Sequence, residues 1–81
     1  MGKETVLEEI QHRLREAIRQ SGLSQKAIAE KVGIHPSTVN KYIRADKFPS
    51  IDTFAILCRV LGISSDVILG LAETDEGSFK Q

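Results

Sequence analysis

The sequence has a single cysteine, Cys58, among its 81 residues, which excludes both an intramolecular disulfide framework and a cysteine-rich zinc site. It has no apolar run approaching the length of a membrane span. Behind the polar Met1–Thr5 there is no apolar segment of a secretory leader, so the expected location is the cytoplasm. It has no glycine-rich phosphate loop and no cluster of metal-ligand residues, and His12, His35 and Cys58 fall on separate predicted elements. Neither a catalytic site nor a metal or cofactor is expected. Net charge is absent too: 11 basic side chains balance 11 acidic ones, which argues against an unselective polycation.

What is present fits one small folded domain. Hydrophobic residues at 41% and charged residues at 27% suit a globular chain, and this length buries a modest core. The charges are unevenly placed. Residues 1–20 are balanced, whereas residues 21–50 carry Lys26, Lys31, Lys41, Arg44 and Lys47 against Glu30 and Asp46, a local charge of +3. Residues 51–81 carry Arg59 and Lys80 against Asp52, Asp66, Glu73, Asp75 and Glu76, a local charge of −3. Local sign, rather than the total, decides whether a surface suits phosphate.

The positive stretch contains the most structured pattern in the chain, QKAIAEKVGIHPSTVNKYIR over residues 25–44. Two short helical patterns meet across Gly33, with Ala29, Val32, Ile34, Val39 and Ile43 as the apolar positions at helical spacing. Gly33 tolerates the left-handed backbone of a tight turn, and the small Ala29 lets two helix backbones approach closely. Pro36 suits a first helical turn, where its missing N–H would have had no partner. Two helices joined in this way form a helix-turn-helix, a unit that can lay its second helix in a major groove.

Around this unit the periodicity predicts an all-α fold of five helices. The first runs over Thr5 to Gln20, with Leu7, Ile10, Leu14, Ala17 and Ile18 facing inward and His12, Arg13 and Arg15 in water. Ser24 caps the second, putting Gln25 at its first position beside free backbone amides. The third spans Pro36 to Ala45 with Val39 and Ile43 inward, and Tyr42 packs beside the core with its hydroxyl at the surface. After a loop over residues 46–50, the fourth covers Ile51 to Leu61, with Phe54, Leu57, Leu61 and a buried, unreactive Cys58 inward. Ser64 caps a short fifth helix with Asp66 in its first turn. Val67, Ile68, Leu69 and Leu71 are more apolar groups than so short a helix can bury alone, so part of them is expected at a subunit contact. Residues 1–72 form the domain, and the acidic 73–81, with its one Phe79, reads as a flexible tail.

From Leu23 to Leu69, through LSQKAIAEKVGIHPSTVNKYI and FPSIDTFAILCRVLGISSDVI, the sequence resembles the Cro and phage-repressor type of DNA-binding domain, the XRE-like helix-turn-helix. The resemblance implies a lambda-repressor-like five-helix fold whose third helix reads double-stranded DNA. It implies that Gln25 contacts a phosphate and buttresses that helix, and that Pro36, Ser37, Thr38 and Lys41 face the groove. Ser37 and Thr38 hydroxyls can donate or accept there, and Lys41 suits the acceptors of guanine. Asn40 and Arg44 fall at the groove edge or on phosphate, and Lys47 lies against the backbone as the chain leaves the groove. His35 departs from the family pattern, which often places Ser or Thr there as the cap; it is expected as a surface turn residue, with the cap left open. The family's last helix often forms a two-fold interface, which points to a homodimer through Ile68 and Leu71. The function implied is a transcriptional regulator, a dimeric repressor on a pseudo-palindromic operator. The alternative is an antitoxin or adaptor acting through a protein partner such as a toxin or co-regulator. With no obvious ligand pocket expected among five small helices, control is expected through a partner, proteolysis or concentration.

Overall fold

Leu14, Ala17 and Ile18, spaced at the helical period, put one buried stripe on the C-terminal half of the first helix, and the third and fifth helices pack against that helix. The computed structural model describes residues 2–72. They form α1 (Lys3–Gln20), α2 (Gln25–Val32), α3 (Pro36–Ile43), α4 (Ile51–Leu61) and α5 (Ser65–Leu69), without a strand among the described residues. The expected tail, 73–81, lies outside the described residues. α1 starts two residues earlier than the apolar pattern suggests, and Leu7, expected on its stripe, is 44% exposed. Burial on α1 begins only at Ile10. No helix among the described residues is long and apolar enough to cross a membrane.

α2 packs on α3 and α4, while α1 packs on α3 and α5. Ile28, Ala29, Val39, Leu57 and Ile68 are fully buried where these helices meet. Ala29, with no side chain beyond Cβ, is fully buried on α2, the helix that packs on both α3 and α4. One position on α3 differs from the expected pattern: Tyr42 is buried beside Val39, and Ile43 is half-buried at the helix end. Both lie one turn from Val39, at three and four residues, so periodicity admits either. The larger Tyr42 fills the core, and burial pushes its phenol above the ordinary tyrosine range.

The C-terminal end is tied back to α1. Ser64 caps α5 by accepting the Asp66 N–H at 3.1 Å, and Gly70 closes it in the left-handed conformation. Arg13 Nε donates to the Ile68 carbonyl at 2.7 Å, a cation at the negative end of a helix. A side chain at residue 70 would place Cβ 2.6 Å from the Arg13 guanidinium, so this contact needs glycine or a displaced arginine. The arrangement corrects the expected subunit contact. Ile68 is fully buried in its own chain and presents no side chain to a partner, whereas Leu71 is 75% exposed. Between α4 and α5 lies an open groove of about 810 Å³ lined by Phe54, Cys58, Ile63 and Leu69, whereas no obvious ligand pocket was expected.

Candidate nucleic-acid interface

The interface is built from two helix starts and the outward face of α3. At the first start, the Ser24 hydroxyl accepts the Ala27 N–H at 3.0 Å, leaving Gln25 exposed at the first position of α2. At the second, His35 itself is the cap. Its extended backbone precedes Pro36, and its ring Nδ1 accepts the Ser37 N–H at 3.1 Å. The cap that the sequence left undecided is therefore the imidazole of His35. Nδ1 sits one bond beyond Cγ, where the side-chain oxygen of an Asn cap would be, so an imidazole can do the same work. The position immediately before Pro36 was the available signal.

Between the two starts, Gly33 adopts φ 87°, and its N–H and that of Ile34 both bond to the Ala29 carbonyl, at 2.8 and 3.0 Å. These bonds end α2 and turn the chain into α3. α3 is itself shorter than the expected span to Ala45. Arg44 caps it, Ala45 takes a left-handed φ of 62°, and the Asp46 N–H reaches back to the Lys41 carbonyl at 2.9 Å. Phe48 then packs against Phe54 with ring centroids 5.6 Å apart and Pro49 is buried, so the loop is anchored while Lys47 stays exposed.

On α3, Ser37, Lys41 and Arg44 are exposed along one helical line, opposite the buried Val39 and Tyr42. Asn40 and Thr38 flank that line half-buried, as does Pro36 at the start of the helix. The eight residues expected at a nucleic-acid surface thus divide into five exposed ones, Gln25, Ser37, Lys41, Arg44 and Lys47, and three half-buried ones. Arg44 is engaged in part, its guanidinium 3.2 Å from the Asp46 carboxylate.

Electrostatics separates these two helices from the rest. α1, α4 and α5 each carry an acid in the first turn, Glu4, Asp52 and Asp66, whereas α2 and α3 carry none. An acid in that place neutralises the positive end of the helix dipole, so among the described helices only the two of the helix-turn-helix leave their N-termini without an acid and open to an external anion. Beside the start of α2 is a shallow depression where Arg15 and Arg19 of α1 join Ser24, Gln25 and Ile43. Arg15 was expected in plain solvent. The spacing of four that sets it over Arg19 was legible; their place beside Gln25 needed the packing of α1.

The sequence model of the helix-turn-helix family matches residues 14–68, from the buried stripe of α1 to Ile68. The chain belongs to this family. It is 38% identical over 61 residues to the uncharacterised HTH-type transcriptional regulator YobD of Bacillus subtilis (strain 168), covering 75% of this chain and 54% of that protein. It is 34% identical over 64 residues to the HTH-type transcriptional regulator ImmR of the same organism, covering 79% of this chain and 50% of ImmR. The chain therefore spans about half the length of the curated relatives it matches. No solved structure matches it significantly. The all-helical architecture agrees with the helix-turn-helix fold expected of the family, and both relatives are named as regulators rather than enzymes.

Proposed function

We propose that this helix-turn-helix chain is a sequence-specific DNA-binding transcriptional regulator that lays α3 in the major groove and acts as a dimeric repressor on a pseudo-palindromic operator. The observation that carries the reading is the exposed line of Ser37, Lys41 and Arg44 on a helix whose first turn holds no acid. Its chemistry suits base edges and phosphates together. Gln25 and the amides at the start of α2 bind the backbone beside the groove, Lys47 holds it on the far side of α3, and Thr38, Asn40 and Pro36 shape the edges of the contact.

One recognition helix reads few base pairs, so selectivity calls for two copies about 34–36 Å apart, one helical turn. The described residues extend over 32 × 29 × 21 Å, of the same order as that spacing. The exposed Leu71 is the candidate for the contact between them. The names of YobD and ImmR support the regulatory role.

The test is selection of bound sequences from a random duplex pool, with the mass of the free protein measured on the same sample. An enriched inverted repeat bound by a dimer supports the reading. No enrichment at low salt from folded protein would end it and turn attention to a protein partner.

A further inference from the structure

Ser37 lies in the outward line of α3, and its hydroxyl is not free to point its proton at will. The His35 Nδ1 accepts the Ser37 backbone N–H at 3.1 Å, so that nitrogen carries a lone pair and the ring proton sits on Nε2. The same Nδ1 lies 2.8 Å from Ser37 Oγ. With no proton on Nδ1, that contact requires the hydrogen to come from the serine, and the single in-plane lone pair of Nδ1 is shared between the Ser37 N–H and the Ser37 hydroxyl. The Ser37 hydroxyl therefore donates to His35 and turns only lone pairs outward.

We propose that His35 makes Ser37 a hydrogen-bond acceptor towards DNA, so that the base Ser37 reads presents an exocyclic amine, N6 of adenine or N4 of cytosine. The inference rests on the reading of α3 as a base-contacting helix. The amines of adenine and cytosine are the donors of the major groove, whereas O6 and N7 of guanine, N7 of adenine and O4 of thymine are acceptors. An oxygen whose proton is engaged by imidazole pairs with the first set and repels the second. His35 is thus a positioning residue: it acts on specificity through the proton of its neighbour, in addition to capping α3. A serine without this histidine would rotate to donate or accept and would discriminate less.

The experiment starts from the selected operator and locates the base pair whose preference changes in Ser37→Ala. At that pair, purine replaces adenine, or pyrimidin-2-one replaces cytosine, to remove the amine, and a 7-deazapurine separately removes the N7 acceptor. Loss of the amine is expected to weaken the unaltered protein on the order of 3- to 10-fold, the range of one neutral hydrogen bond, and to leave Ser37→Ala unaffected. The 7-deaza change is expected to affect both proteins equally. His35→Ala is expected to lose the sensitivity to the amine. His35→Asn is expected to keep it, because its amide oxygen takes the place of Nδ1 and caps the helix as well. A helix that merely frayed would lose affinity for every sequence alike, without coupling to one functional group.

Coupling of Ser37 to N7 instead of the amine, or a base preference that Ser37→Ala leaves intact, overturns this inference and leaves the DNA-binding reading standing. A pool that yields no bound sequence overturns both.

Discussion

Lys41 and Lys47 carry the same charge on different parts of the surface. Lys41 stands between Ser37 and Arg44 on the outward face of α3, whereas Lys47 is exposed on the anchored loop beyond it. Replacing Lys41 with Ala is expected to relax preference at one or two base positions by about 1–3 kcal/mol, as for a lost base-edge contact. An equal loss on every sequence would reassign it to phosphate. Replacing Lys47 with Ala is expected to lower the slope of log affinity against log salt by roughly one and to leave preference unchanged. An unaltered slope would remove Lys47 from the interface. Asp52 offers a prediction on stability. Its carboxylate accepts the Ser50 hydroxyl at 2.6 Å and the Thr53 N–H at 2.9 Å, which together hold its pKa below the usual 3.8. A lowered carboxylate pKa gives stability that is complete above the ordinary value and lost as the pH falls through the lowered one. Thermal melts of the parent and Asp52→Ala should therefore differ at neutral pH, with the difference beginning to shrink as the pH falls below 3.8 and vanishing only below the lowered value. At this scale legibility depended on whether a residue type has one habitual role. Ser24 and Ser64 were readable as caps, but His35 was not, because imidazole seldom takes that position. Tyr42 and Ile43 both satisfy the helical period, and volume decided between them only in the packed core.

At the scale of elements, the start and end of helices follow from short-range chemistry, so four of the five began where the sequence pattern and its caps put them: Gln25, Pro36, Ile51 and Ser65 each follow their capping residue. The end of α3 was not legible, since no glycine marks it. The chain turns there on Ala45 at φ 62°, an alanine in the conformation that glycine supplies at Gly33. These two turns give predictions of opposite sign. Gly33→Ala meets open space at Cβ yet is forced into a left-handed backbone, so it is expected to lower stability by about 1–2 kcal/mol. Gly33→Asn, which adopts that conformation more readily, should lose less. Ala45→Gly relieves a strain of the same size and adds about 0.5–1 kcal/mol of unfolded-chain entropy, so its expected effect is a gain of up to about 1 kcal/mol. Denaturant unfolding of the three variants checks the order. Should Ala45→Gly prove destabilising, the turn is not strained and entropy alone governs it.

On the scale of the whole molecule, the proposed dimer needs an apolar surface for its second copy to cover. Counting apolar residues near the C-terminus led to Ile68 and Leu71 together, because sequence alone does not reveal that Arg13 ties the Ile68 carbonyl to α1 and that the Ile68 side chain completes the core. The two residues now separate two properties that are often confounded. Ile68→Ala leaves a cavity in a fully buried site and is expected to lower stability by about 2–5 kcal/mol. Leu71→Asp changes a side chain that is 75% exposed and is expected to leave the stability of the protomer within about 0.5 kcal/mol. If Leu71 joins two copies, the aspartates meet across the two-fold axis, and sedimentation equilibrium should show the dimer shifted to monomer at concentrations where the parent remains paired. Affinity for a full inverted repeat should then fall towards that for a single half-site, while the preferred base at each position stays the same, since α3 is untouched. A mass unchanged by Leu71→Asp would move the contact to another exposed apolar group. Ile51, 87% exposed at the start of α4 and on the rim of the groove between α4 and α5, is the next to replace.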